Sequence, residues 1–293
     1  MGMGSDGTML LKNYKIDFER ELSALYDEYE IDSFFYILLE DFHHMKRVDL
    51  ALNPNFELSP EMHHQWENVV SQLKEHRPIQ YILGETEFFG LPFYVNENTL
   101  IPRPETEELV DWIIKENLQV EKNEGLRILD IGTGTGCIAI SLAKNLPNAK
   151  VYAIDVSEKA LATAQRNAER NQVAITFIHQ SILETDDLQQ KYDIIVSNPP
   201  YVRNLEKVEI KKNVLDFEPH SALFVEDNDA LVFYRKITEL ATQNLSENGQ
   251  LYFEINQYLG KEMVWLLEKY SFKNIELRKD IYDNDRMVRG VFR

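Results

Sequence analysis

The sequence predicts an α/β protein: a mostly parallel sheet covered by helices on both faces, preceded by a small helical domain and a hairpin connector. Three observations carry this. Apolar residues recur at helical spacing through residues 10–77. Aromatic runs broken by Gly90 and Pro92 in "TEFFGLPFYVN" read as a hairpin. From Leu126 onward, short continuously apolar strands alternate with helical patterns, the signature of parallel strands buried on both faces.

Residues 1–9 read as a flexible tail, with Met9 a candidate start, and lack the basic and apolar regions of a secretory signal. "DFERELSALYDEY" places Phe18, Leu22, Leu25 and Tyr29 on one helical stripe. "DSFFYILLEDFHHM" is apolar over a broad face and should be buried. In "SPEMHHQWENVVSQLKEH", Ser59 is the N-cap, Pro60 takes the first helical position and Pro78 ends the helix. Residues 10–84 thus form a helical domain, 85–100 a hairpin linker and 101–293 the α/β domain. "IPRPETEELVDWII" is a proline-punctuated loop followed by a helix, with Pro104 in the first turn and Glu105, Glu107 and Glu108 at the positive end of its dipole. The strands are "LRILDIG", "KVYAIDV", "ITFIHQS", "YDIIVSN", "QLYFEIN", "NIELRKDI" and "RMVRGVFR".

Composition excludes several function classes. No run of about 18 apolar residues appears, so no membrane-spanning helix is expected. Cys137 is the single cysteine, which rules out a disulfide within the chain and fits a reducing cytoplasm. Of the seven histidines, four form adjacent pairs, His43-His44 and His63-His64, which split across two helix faces; they read as half-buried or solvated, and no metal is expected. The formal net charge of −18 argues against stable nucleic-acid binding and for a protein or small, basic partner.

Two motifs carry chemistry. In "LDIGTGTGCIA", Gly132, Gly134 and Gly136 lie between a strand and a helix, where bare backbone can approach a ligand. Asp130 precedes this loop. Asp155 ends the next strand, where an acid accepts hydrogen bonds from ribose hydroxyls and disfavours a 2′-phosphate. The pattern implies a nucleoside ligand without separating NAD from S-adenosylmethionine. Cys137 reads as a small packed residue.

The second motif is "IIVSNPPYV", in which a buried strand stops at Asn198. An asparagine oxygen and the carbonyl of Pro199 make a pair of acceptors that matches a planar –NH₂ group. Pro199 and Pro200 stiffen the turn, and Tyr201 offers a flat face to a planar substrate. Amide and aromatic nitrogens are poor nucleophiles because the lone pair is delocalised. Two fixed acceptors stabilise the positive charge that develops as such a nitrogen attacks a methyl group. The turn alone serves an adenine amine or a glutamine amide equally.

The order GTGTG, Asp155, NPPY resembles the class I (Rossmann-like) methyltransferases that modify an amino nitrogen with S-adenosylmethionine, on a mostly parallel seven-stranded sheet. Residues 77–110, "RPIQYILGETEFFGLPFYVNENTLIPRPETEELV", together with "FEPHSAL" and "DRMVRG", closely resemble the HemK/PrmC family. The resemblance covers nearly the whole chain. It implies methylation of the side-chain amide of the glutamine in the Gly-Gly-Gln motif of class I peptide chain release factors, with S-adenosylhomocysteine as the other product. It further implies that Gly132, Thr133, Gly134, Thr135 and Gly136 wrap the methionine part of the cofactor and that Asp155 binds the ribose. Asn198 and Pro199 would be catalytic, Asn198 also touching the cofactor, with Pro200, Tyr201, Arg103 and Glu107 binding substrate and Glu105 beside them. The helical domain would dock the substrate, and a cytoplasmic monomer is expected.

The chain departs from the family pattern in three places. Ser181 stands where an acid usually lies near the adenine. "VEDNDAL" replaces a glycine-containing loop, and Asn256 follows Glu254-Ile255 where glycine is usual. Three other readings compete. A ribosomal-protein glutamine methyltransferase shares the chemistry. A nucleic-acid adenine methyltransferase would need a basic groove. A non-enzymatic binding module would not need Asn198.

Overall fold

The computed structural model of the chain describes residues 7–293, with residues 123 and 124 as backbone only. The chain divides into two compact units after Leu83. The first contains β1 (Met9–Leu10), α1 (Leu11–Leu22), α2 (Glu28–His43), α3 (Arg47–Leu52), β2 (Glu57–Leu58), α4 (Pro60–Lys74) and α5 (Ile79–Leu83). Its core is built around Trp66, which is fully buried. The rings of Tyr14, Phe18, Phe35 and Phe42 surround it, centroids 5.1 to 5.8 Å away. Such pairs add to the stabilisation that burial alone supplies. Trp66 Nε1 donates to His43 Nε2 at 2.9 Å, and burial keeps the His43 imidazole below its ordinary pKa. His43 is therefore a structural histidine.

Ser59 caps α4 as its position predicts, accepting from the Met62 N–H at 3.2 Å. Three expectations change in this unit. The stripe from Phe18 to Tyr29 is not one helix: α1 stops at Leu22, and Asp27 starts α2 by accepting from the Glu30 N–H at 2.8 Å. That leaves Tyr29 exposed. Pro78 does not end α4. The helix stops at Lys74, His76 takes the left-handed region at φ 64°, and the Pro78 carbonyl opens α5 by accepting from Tyr81 and Ile82. Of the tail, residues 1–6 lie outside the described residues, while Met9 and Leu10 pair antiparallel with Leu58 and Glu57.

The second unit opens with the hairpin of β3 (Glu85–Phe88) and β4 (Leu91–Tyr94). Expected as a linker, the hairpin is instead fastened into this unit. The Asn167 side chain accepts from Tyr94 N at 2.6 Å and donates to Tyr94 O at 3.0 Å, and Phe88 and Phe93 are core residues. There follow α6 (Pro104–Glu124), β5 (Arg127–Ile131), α7 (Cys137–Asn145), β6 (Lys150–Asp155), α8 (Glu158–Arg170), β7 (Ile175–His179) and β8 (Tyr192–Ser197). Then come β9 (Val202–Arg203), α9 (Lys212–Phe217), β10 (Phe224–Val225), α10 (Val232–Asn244), β11 (Leu245–Glu254), α11 (Gly260–Lys269), β12 (Lys273–Lys279) and β13 (Asp285–Val291).

The main sheet has seven strands in the order β12-β13-β11-β8-β5-β6-β7, parallel apart from β13. Side chains alternate between its two faces. Ile128, Ile194, Val196 and Tyr252 pack under α6 and α7; Leu129, Ile195, Leu251 and Phe253 pack under α10 and α11. From β5 the chain moves outward to β6 and β7, then returns to place β8 on the other side of β5. That reversal opens a crevice at the carboxyl ends of β5 and β8, where ligands of open α/β sheets bind.

Trp66→Ala is expected to cost the first unit about 3–5 kcal/mol. Calorimetric unfolding of the full chain checks it; a loss below about 1 kcal/mol would mean that the ring cluster is not what holds this unit.

Candidate active site

A cavity of about 450 Å³ lies at the carboxyl ends of β5, β6 and β8. Where β5 ends, Gly132 (φ 75°) and Gly134 (φ 55°) turn the chain through the left-handed region. A Cβ at either would meet no atom within 4 Å, so the demand for glycine is conformational and bare backbone faces the cavity. Gly136 differs. A Cβ there would stand 2.9 Å from Ile140 Cδ1 and 3.3 Å from the Ala164 side chain. It serves the close approach of α7 to α8 and does not line the cavity.

Asp155 stitches this loop to β6. Its Oδ2 accepts from Gly134 N at 2.9 Å and its Oδ1 from Ser157 N at 2.9 Å. It also lines the cavity, with lone pairs left for hydroxyl donors. Thr133 and Thr135 line it too, beside apolar walls that include Ile154, Val156, Ile182 and Leu183. Ser181 stands on that wall. A glycine-lined backbone, a carboxylate and an apolar slot in one cavity of this size fit a nucleoside bearing an amino-acid tail. Cys137 is also in the lining, and burial pushes its thiol up to about 12, which favours the neutral, unreactive form.

Ser197 ends β8 and donates its hydroxyl to the Ile131 carbonyl at 2.6 Å. Asn198, Pro199 and Pro200 follow it and line the cavity. The structural asparagines are committed: Asn167 to Tyr94 and Thr135, Asn171 to Pro92, Asn244 to Asp187 and Gln190. No described residue hydrogen-bonds the Asn198 side chain, so its amide is left for whatever enters. Arg103 lines the cavity and is ion-paired with Glu218, which also accepts from Ile101 N at 3.0 Å.

Four predicted site residues do not line this cavity: Glu105, Glu107, Gly136 and Tyr201. Glu107 Oε1 accepts from Phe89 N at 2.8 Å and braces the hairpin turn, where Phe89 has φ 50°. Glu105 lies in the first turn of α6. Tyr201 turns its hydroxyl to the buried Glu254, donating to Oε2 at 3.0 Å, and accepts from Arg286 Nη1 at 3.3 Å. Its ring is packed against the core under α10 and α11 and does not face the cavity. Sequence reasoning missed Glu218, Thr106 and Glu254 as site-building residues. Each lies in or beside a segment quoted from the sequence, yet a single polar residue in a loop, a first helical turn or a strand end has no period that announces its burial.

Beneath the glycine loop, Asp130 is fully buried. Its Oδ2 accepts from Thr133 Oγ1 at 2.7 Å, and its Oδ1 has no partner among the described residues. Burial pushes its carboxyl from 3.8 up to about 7. Across that window the folded chain keeps the proton and the unfolded chain releases it. Stability from this group is therefore full below 3.8 and falls as pH rises toward 7. Asp130→Asn stays neutral, so its melting temperature should gain on the parent by several degrees from about pH 4 to about pH 8. A pH series of thermal unfolding checks this; a constant difference would mean that Asp130 is ionised throughout.

The sequence matches two families, the Methyltransferase small domain over residues 113–218 and the PrmC N-terminal domain over residues 17–84. It is 72% identical over 285 residues to the release factor glutamine methyltransferase of Flavobacterium psychrophilum, covering 97% of this chain and 100% of that one. To the protein of the same name from Bacteroides thetaiotaomicron it is 45% identical over 270 residues, 92% of this chain and 95% of that one. Among solved structures, the catalytic domain of hMettl16 in complex with MAT2A 3'UTR hairpin 6 aligns with a TM-score of 0.52 at 18% identity. The alignment covers 70% of this chain and 76% of that one, a likeness of fold alone. The class I methyltransferase fold expected from the sequence is the one observed. Two relatives so similar over more than nine-tenths of this chain decide the family: the chain belongs to the release factor glutamine methyltransferases.

Proposed function

We propose that this chain transfers a methyl group from S-adenosylmethionine to the side-chain amide nitrogen of the glutamine in the Gly-Gly-Gln motif of class I peptide chain release factors. One observation carries the reading: the glycine loop and the uncommitted Asn198 amide leave neighbouring strands one residue past a paired position, Ile131 opposite Ser197, and open into one cavity. When bound, S-adenosylmethionine supplies an electrophilic methyl group on a cationic sulfur.

The chain's own residues divide the remaining work. Gly132, Thr133, Gly134 and Thr135 hold the amino-acid tail with backbone groups, and Asp155 accepts from the ribose hydroxyls. The slot beside Ser181 takes the base. Asn198 Oδ1 and the Pro199 carbonyl accept the two N–H groups of the glutamine amide. That pairing orients the nitrogen, which is a proximity gain. It also strengthens as positive charge builds on the nitrogen, which lowers the barrier and not merely the ground state. The nitrogen becomes strongly acidic as it gains the methyl group, so its proton passes to water without a dedicated base. Arg103, held by Glu218, borders the same cavity and helps to shape the substrate side.

The helical first unit is assigned to substrate docking. A net charge of −18 suits a protein partner over nucleic acid. No helix of the described residues is long and apolar enough to cross a membrane, and a translation-factor substrate puts the reaction in the cytoplasm.

Incubation with labelled S-adenosylmethionine and a release factor should label the factor, and Gln→Ala in its Gly-Gly-Gln motif should abolish the label. Asn198→Ala should cut kcat by about 10²–10³-fold while cofactor affinity, read by titration calorimetry, shifts less than about threefold. Equal losses in both would make Asn198 a structural residue.

A further inference from the structure

We propose that Glu254 is a positioning residue that fixes the Asn198-Pro199-Pro200 turn against the start of α6, acting through Tyr201 and Thr106. The inference rests on the reading of that turn as the grip on the substrate amide. Ser197 pairs with Phe253, so Glu254 leaves β11 beside Asn198. Its side chain is buried. Oε1 accepts from Thr106 Oγ1 at 2.6 Å and Oε2 from Tyr201 Oη at 3.0 Å. One carboxylate thus ties together the IPRPETE segment and the NPPY turn, both of which border the cavity.

The turn needs such a tie. Pro199 and Pro200 have no N–H to donate. Strand pairing of β8 ends at Ser197 and the next paired residue is Val202, which meets Phe224. Tyr201 is the first residue after the prolines, and it is held at both ends. Its hydroxyl meets Glu254 and Arg286, and its carbonyl accepts from Asn256 Nδ2 at 2.9 Å. Arg286 is in turn fixed by Asp280, which accepts from its Nε at 2.9 Å. Asn256, where the family pattern has glycine, also donates to Glu206, whose Oε2 accepts from Arg203 N at 2.7 Å. Tyr201 is therefore clamped by Glu254 at the end of β11, Asn256 just beyond it and Arg286 of β13, and the strand that leaves the turn is held through Glu206. Burial raises the Glu254 carboxyl above its usual range against the pull of Thr106, Arg286 and Tyr201. Keeping an acid there costs stability that an apolar residue would not.

Glu254→Gln, Tyr201→Phe and their double variant test the clamp. Each single change should lower kcat by about 10- to 100-fold, because displacement of the acceptors by a fraction of an ångström spoils alignment. Cofactor affinity should move less than about threefold, and the double variant should fall well short of the product of the two single losses, since both remove the Tyr201–Glu254 bond. Amide exchange at Val202 and Arg203 should quicken while that of β5 stays as in the parent. Parent-like kcat in Tyr201→Phe, losses that multiply in the double variant, or cofactor affinity and melting temperature falling in step with kcat would each overturn the proposal. If Glu254→Gln fails to fold, Tyr201→Phe and Thr106→Val carry the same test. Asn198→Ala in the same assay separates the two levels. If it turns over like the parent, the reading of the turn fails and the clamp with it. If it is inactive while Tyr201→Phe is unimpaired, only the clamp fails.

Discussion

Everything in the second unit depends on how β5 and β8 are aligned. Ile131 pairs with Ser197, and the Ser197 hydroxyl locks that pairing to the Ile131 carbonyl. The next residue on one strand is Gly132 and on the other Asn198. A slip of one residue would exchange the faces of every β8 side chain, moving Ile194 and Val196 out of one core and Ile195 out of the other. The apolar residues of β8 therefore do more than bury surface. They hold two loops of different chemistry at one height on the sheet, and the chain reversal between β7 and β8 leaves a crevice for them to share.

The two sides of that crevice are built by different means. On the β5–β6 side the polar work falls to backbone N–H groups and one carboxylate, Asp155, which is itself bonded to Gly134 and Ser157. On the β8–β11 side, prolines have removed the N–H groups, and side chains take over: Glu254, Tyr201, Asn256 and Arg286. Buried acids recur behind the walls, Asp130 under the glycine loop and Glu218 behind Arg103. Each is expensive to bury, and each stands directly behind a segment that faces the cavity. The two sheet faces themselves are packed mainly with aliphatic and aromatic residues.

The sequence made the framework legible because frameworks are periodic. Continuous apolar strands, the Ser59-Pro60 start and the glycine turn all follow from local rules that need no tertiary knowledge. What it hid was direction and reach. Tyr201 next to two prolines reads as a flat face for the substrate, yet a buried carboxylate 53 residues later draws its hydroxyl inward. Glu107 reads as a site acid, yet the strained Phe89 backbone claims it. The hairpin reads as a linker until Asn167, from a helix far along the chain, bonds both polar groups of Tyr94. Each of these outcomes was decided by a distant partner for a polar group, and no window of neighbouring residues contains that partner.

On the proposed reading of the NPPY turn as the grip on the substrate amide, the choice of asparagine at position 198 follows from the same accounting of polar groups. An aspartate would offer a stronger acceptor, but its charge would attract any cation in the cavity before reaction begins, and tight ground-state binding does not lower the barrier. It would also stand in a cavity that already holds Asp155, in a chain of net charge −18. Like charges would then raise one of the two acids into its protonated form, turning an acceptor into a donor. A neutral amide oxygen avoids both problems. Its attraction for a nitrogen is modest at rest and grows only as that nitrogen becomes positive. Such an acceptor is useful in proportion to how well it is aimed, so a rigid proline turn, held from behind at Tyr201, is the setting in which an uncharged residue suffices.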